Sequence, residues 1–233
     1  MSYEQLEAAM VTYSNLVAMA VIDNGEPMVV IRDFDISNGY QPTMSDMTSL
    51  LGERILVRQT VFDKLKQAQE TLRKQDENLS LYITYGYRSL EVQTRKFLEQ
   101  LELISGKRFF SNPVDLYEEA SRFIAVPTVA GHPTGGAVDL VIINQSDGQF
   151  LDFGSRLYDF SNKDCYTFSP NISVVGKNNR TLLRSCMLDA GFAPFDGEWW
   201  HFCYGDREWA YYYKKPNAIY KQLLAERVRE LAL

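Results

Sequence analysis

The sequence predicts an α+β fold: a mainly antiparallel sheet flanked by helices. Helical spacing of apolar residues and β-branched or alternating runs both occur, so helices and strands are mixed. They follow one another without the regular βα alternation of a parallel sheet. No internal repeat, low-complexity tract or long Pro/Gly/Ser linker divides the 233 residues, so one domain spanning 1–233 is expected.

Taken in order, "NLVAMAVIDNGEPMVVIRDF" reads as a hairpin, two apolar runs around the tight-turn pair Asn24-Gly25. Segment 60–77 places Val61, Leu65, Ala68 and Leu72 at helical spacing with polar residues between them. "LSLYITYGYR" alternates like a strand and stops at a glycine, and 90–104 and 113–125 read as helices. "AVDLVII" (137–143) is rich in β-branched residues and reads as a buried strand. "NNRTLLRSCMLDAGF" has a capping Asn at its start and Gly191 at its end, the punctuation of a helix. "EWWHFCY" reads as a strand. The tail "PNAIYKQLLAERVREL" sets Ile219, Leu223, Leu224, Val228 and Leu231 on one helical face.

Hydrophobic residues make up 45% of the chain and charged residues 23%, an ordinary globular balance. A net charge of −6 argues against nonspecific nucleic-acid binding, which leaves a basic footprint. No apolar stretch reaches the ~18–20 residues of a membrane span. "MSYEQLEAAMVTYSN" has no basic n-region, apolar h-region or A-x-A site, so no secretory signal is expected. Three widely spaced cysteines, Cys165, Cys186 and Cys203, with no CxxC, favour reduced thiols in a cytoplasmic setting.

The chain has only two histidines, and both stand in unusual surroundings. His132 opens "HPTGGAVDLVI", where Gly131, Gly135 and Gly136 allow a tightly folded site loop. Asp139 interrupts the apolar strand that follows. An unpaired carboxylate there would cost several kcal/mol to bury, and a metal offsets that cost. His201 lies in "GEWWHFCYG", three residues after Glu198, beside Trp199 and Trp200. Such apolar bulk excludes water and strengthens electrostatics, as a site requires. Two imidazoles and one carboxylate, with a fourth position for water, form the catalytic zinc pattern. A bound zinc lowers the pKa of its water from ~15.7 to roughly 7. A second carboxylate then takes the water's proton and passes it to a leaving amine. On residue types alone, Asp139 as ligand with Glu198 as base and the mirror assignment are both open.

"GHPTGGAVDLVI" together with "GEWWHF" resembles the VanX-type D-alanyl-D-alanine dipeptidases, in a wider zinc D,D-peptidase family that includes VanY-like carboxypeptidases. The family pattern S-x-H-x-x-G-x-A-x-D, then E-x-W-H, is matched by His132, Gly135, Ala137, Asp139, Glu198, Trp200 and His201. "FGSRLYDF", "NNRTLLRSCMLDAGF" and "YGYRS" resemble further family motifs, so the likeness covers roughly residues 80–205. It implies a D,D-peptidase-like α+β fold and one Zn²⁺ per chain, held by His132, Asp139 and His201. Glu198 would be the base and Arg88 the partner of the oxyanion. Asp159 would hold a substrate ammonium, and Trp200 would contact substrate. The substrate implied is D-Ala-D-Ala or a similar small dipeptide. Ala130 and Thr134 depart from the pattern (serine and arginine are usual), which leaves the exact substrate open. Two other functions compete: a D,D-carboxypeptidase on peptidoglycan stem peptides, and a non-catalytic zinc-containing binding module. Retention of Glu198 and Arg88 argues against the latter. Arg32, Tyr40 and Arg58 could equally line a cleft or lie on the surface.

Overall fold

The computed structural model describes residues 2–32 and 36–229. In chain order its helices are α1 (Tyr3–Ala9), α2 (Tyr13–Val17), α3 (Thr48–Leu51), α4 (Gln59–Arg73), α5 (Leu90–Ser105), α6 (Pro113–Ser121), α7 (Val174–Asp189), α8 (Arg207–Tyr212) and α9 (Ala225–Arg229). Its strands are β1 (Met28–Val30), β2 (Ser37–Asn38), β3 (Leu56–Arg58), β4 (Leu79–Tyr85), β5 (Ala137–Asn144), β6 (Gln149–Phe150), β7 (Ala193–Pro194) and β8 (His201–Cys203). The main sheet has the order β2-β4-β5-β8-β7, with β6 also on β5. Only β2 joins it parallel; every other pairing is antiparallel, as are β1 and β3 in a separate pair. The predicted α+β class is therefore the observed one.

α4 forms where its periodicity predicts, and Val61, Leu65, Ala68 and Leu72 are all fully buried. Each such leucine contributes roughly 1.5–3 kcal/mol by burial. The stripe packs with Leu183 and Met187 of α7 against Leu81, Ile83, Leu140 and Ile142 of the sheet. Gln69 ties the helix to β4: its amide donates to the Leu79 carbonyl at 3.1 Å and its carbonyl accepts from Leu81 N–H at 2.6 Å.

Four sequence expectations are corrected. There is no hairpin around Asn24-Gly25. The start of the first arm, Asn15 to Val17, instead belongs to α2, capped by the Thr12 hydroxyl and the Asn15 side chain. Residues 20–24 bond to the chain around Ala218 and Ile219, while β1 pairs with β3. The tail is not one long helix. Residues 218–223 form no helix, because their backbone is committed to Ala20, Gly205 and Pro133, and only Ala225–Arg229 coils. Leu231 lies outside the described residues. α7 starts four residues before "NNR", capped by Ser173 rather than an asparagine. In "EWWHFCY" only His201–Cys203 is strand; Glu198–Trp200 form the turn before it.

Candidate metal centre and active-site cavity

The sheet places the site. Asp139 on β5 stands opposite Tyr85 on β4 and opposite His201 on β8, so one row across three strands presents all three side chains to the same face. A bulge between Ile83 and Tyr85 sets that register on β4. The displaced Thr84 is put to use: its hydroxyl donates to the Asp139 carbonyl at 3.1 Å and shares a 2.8 Å hydrogen bond with the Tyr158 hydroxyl.

His132 arrives from the loop before β5, at the start of a single 3-10 turn, His132–Thr134. Gly135 ends that turn at φ 73, and an added Cβ would strike the Met28 sulfur at 2.5 Å. The loop is braced from below. Arg58 Nε donates to the Thr134 carbonyl at 2.8 Å, and the guanidinium lies over the Tyr220 ring. The Thr134 hydroxyl donates to the Gly131 carbonyl and accepts from Gly136 N–H at 2.9 Å. Thr134 therefore serves the loop itself. Of the three N-terminal residues left open from sequence, Arg58 is buried here, Tyr40 is half-buried and Arg32 is exposed; none lines the site cavity.

His132, Asp139 and His201 converge, with potential ligand atoms all within 4.8 Å of one another. His132 Nε2 lies 3.5 Å from Asp139 Oδ2, and His201 Nδ1 lies 3.0 Å from Asp139 Oδ1. Tetrahedral ligands about 2.0–2.1 Å from a zinc stand roughly 3.3 Å apart, so these spacings suit that ion. Behind His132, Nδ1–H donates to the Gly86 carbonyl at 2.8 Å, which leaves Nε2 turned inward. Burial raises the Asp139 carboxyl, yet the two histidines outweigh it and hold it well below the usual carboxylate range. Burial also lowers His132, while Asp139 outweighs burial at His201 and lifts it to about 9. A cation among them would offset the same buried negative charge.

Glu198 and Arg88 line the same cavity, of about 210 Å³, as the three clustered residues. Burial pushes the Glu198 carboxyl up to about 7. Arg88 is buried. Its Nε donates to the Tyr85 hydroxyl at 3.1 Å and its Nη1 to the Gln93 side-chain carbonyl at 2.9 Å. Tyr85 in turn donates to Asp46, which pairs with Lys96 at 2.8 Å. Part of the cavity lining is apolar, Leu16, Ile124, Val126 and Val129 among it. Val11 and Tyr13 also line it. This segment is anchored twice: Glu118 of α6 accepts from Tyr13 N–H at 2.8 Å and Ser14 N–H at 2.9 Å, and Arg207 donates to carbonyls of α2.

Two predicted substrate contacts are placed elsewhere. Asp159 does not line the cavity; its carboxylate accepts from Ser161 N–H at 2.9 Å in a local turn. Trp200 is fully buried behind Tyr158 and Phe160, which do line it. Its indole N–H is close enough to favour the Glu198 carboxylate but makes no hydrogen bond. Tyr158 and Glu208 also line the cavity, and sequence reading singled out neither. Tyr158 sits in the left-handed region at φ 60, a strain of order 1–3 kcal/mol often found at sites. No motif marked either one, although Tyr158 immediately precedes Asp159.

A family model described as D-Ala-D-Ala dipeptidase matches residues 29–221. The chain belongs to that family. The D-Ala-D-Ala dipeptidase family is a family of peptidases, so the chain is identified as a hydrolase. It is similar to a D-alanyl-D-alanine dipeptidase of Synechocystis sp., 26% identical over 190 residues, covering 72% of this chain and 76% of the relative. It is also similar to the D-alanyl-D-alanine dipeptidase of Enterococcus faecium, 27% identical over 167 residues, covering 72% and 79%. A solved structure of VanYB in complex with D-alanine-D-alanine resembles it at 15% identity and a TM-score of 0.44, over 93% of this chain and 98% of that one. That likeness is too distant to add to the family match. The lining residues Val11, Tyr13 and Leu16 precede the matched span. Among the described residues no helix is long and apolar enough to cross a membrane.

Proposed function

We propose that this protein is a zinc-dependent dipeptidase that hydrolyses D-Ala-D-Ala or a similar small dipeptide. The convergence of His132, Asp139 and His201 with Glu198 and Arg88 on one small cavity carries the reading. Membership of the D-Ala-D-Ala dipeptidase family supports the substrate. His132, Asp139 and His201 hold the metal. Two imidazole nitrogens and a carboxylate oxygen are a donor set for catalytic zinc, which keeps a fourth position open. Zinc, when bound there, makes water a usable nucleophile at neutral pH.

Glu198 takes the proton from the attacking water and delivers it to the leaving amine. A carboxyl pushed toward neutrality suits that shuttle, and the buried Trp199 and Trp200 that follow it in the chain add apolar bulk beside it. Arg88 faces the carbonyl oxygen as it becomes negative. Its Nε and Nη1 are already committed, so the guanidinium is pre-oriented and needs little rearrangement. At about 210 Å³ the cavity lies below the roughly 300–1,000 Å³ of pockets for drug-sized ligands, which favours a dipeptide over a stem peptide. A free dipeptide as substrate fits a cytoplasmic location.

The test is a metal and substrate panel. Zinc-loaded protein is expected to hold about one zinc per chain and to release D-alanine from D-Ala-D-Ala. No metal after loading would remove the mechanism. Cleavage of longer D-Ala-D-Ala-terminated peptides alone would replace the dipeptidase reading with a carboxypeptidase one.

A further inference from the structure

A histidine that binds a metal through one ring nitrogen has its other nitrogen to satisfy. That rear group fixes the ring's tautomer and orientation, and in metal sites it is commonly a carbonyl or a carboxylate. For His132 the rear group is the Gly86 carbonyl, 2.8 Å from Nδ1. For His201 it is Nδ1 that lies on Asp139, so Nε2 is the rear nitrogen. Among the described residues Nε2 makes no hydrogen bond. The carboxylate that faces it is Glu208, with Oε2 at 3.9 Å.

The chain carries Glu208 there by a tight route. β8 ends at Cys203, and Gly205 reverses the backbone at φ 77, where a Cβ would strike the Tyr220 ring at 2.4 Å. Asp206 then caps α8, its Oδ1 accepting from Trp209 N–H at 2.9 Å. The first turn of α8 thus returns Glu208 to the residue seven positions before it. The Glu208 side chain is only 16% exposed, and its Oε1 is buried without a hydrogen-bond partner among the described residues. A buried carboxylate so poorly answered is destabilising unless a charged or polarised donor meets it.

We infer that Glu208 is a positioning residue, which accepts the Nε2–H of His201 and so keeps Nδ1 turned toward the metal. This rests on the metal reading given above and adds a fourth side chain to it. A metal on Nδ1 draws electron density from the ring and makes Nε2–H a stronger donor. About 1 Å of side-chain movement brings Oε2 from 3.9 Å to the 2.7–2.9 Å of a charge-assisted hydrogen bond.

The test measures metal affinity rather than turnover alone. Full-length wild type, Glu208→Ala and Glu208→Gln are titrated with zinc against a chelator, and their cobalt-substituted visible spectra are compared. Loss of a ligand's outer partner typically weakens metal binding by about 10–100-fold, and that is expected for Glu208→Ala with an altered cobalt spectrum. Glu208→Gln keeps the shape and an accepting oxygen, so it folds like wild type and lies between the two. Unchanged zinc affinity and an unchanged cobalt spectrum in Glu208→Gln and Glu208→Ala overturn the inference. So does a rise in KM for a dipeptide with metal affinity unmoved, which would make Glu208 a contact for the substrate ammonium. A wild type that takes up no zinc would instead sink the metal reading itself.

Discussion

Gly86→Ala reaches the candidate metal centre without altering His132, Asp139 or His201. Gly86 follows β4, and its carbonyl accepts the Nδ1–H of His132 at 2.8 Å. A Cβ at this position would lie 2.6 Å from the Leu56 carbonyl oxygen and 2.8 Å from Ile55 Cγ2. The first contact is backbone, and it falls about 0.4 Å short of the 3.0 Å that real Cβ atoms respect. The chain at 86 must retreat by at least that much, away from the edge of β3. If its carbonyl follows, the bond to His132 lengthens to about 3.2 Å, the outer limit of good N–H···O geometry. Overpacking of this kind costs about 1–3 kcal/mol. In a chain of this length that lowers the Tm by roughly 2–12 °C. Loosening the group behind a metal-binding histidine weakens metal affinity by about 10–100-fold. Thermal melts and chelator competition read both effects, with Gly106→Ala, at the end of α5, as a mild control. A Gly86→Ala protein that melts within a degree of wild type and binds zinc equally well would refute the argument.

Glu198→Gln is expected to lower kcat by about 10²–10⁴ while the zinc content, read by elemental analysis, stays near one per chain. Loss of the metal in that variant would make Glu198 a ligand. Arg88→Lys keeps the charge but not the fork that bonds Tyr85 and Gln93, and a fall in kcat of about 10²–10³ is expected. Unchanged kinetics would remove Arg88 from the reaction. Arg180→Leu abandons the carbonyls of Phe153, Tyr166 and Asp164 that the buried guanidinium holds together. At about 1–3 kcal/mol for each acceptor left unsatisfied, it is expected to melt well below wild type, and a shift under a degree would contradict that.

Much of the site was legible because its residues are chemically out of place where they stand. Asp139 in an apolar strand, and two histidines among glycines and tryptophans, announce themselves without a structure. α4, β4 and β5 were legible for a related reason: their periodicity and burial agree. The N-terminal region was misread because local and distant pairing compete there. Asn24-Gly25 is good turn chemistry, and Gly25 does take φ 72, but the strands beside it are claimed by residues 56–58 and 218–219. The tail failed likewise, since its backbone is spent on three distant segments. Asp159 and Trp200 stand beside the cavity rather than in it, because motif membership fixes a neighbourhood but not the direction of a side chain. Glu208 was invisible: its role depends on a glycine reversal that returns it to His201, and nothing in its own spacing records that.

The pairing of Asp139 with His201 also bears on how the sheet checks its own assembly. β8 is only three residues long, and side chains alternate between the faces of a strand. A slip of one residue along β5 would set Phe202 opposite Asp139 and send His201 to the far side. Only the observed alignment brings His201 to Asp139 and His132. On the metal reading proposed above, ion uptake would therefore report the correct threading of this inner strand, between β5 and β7.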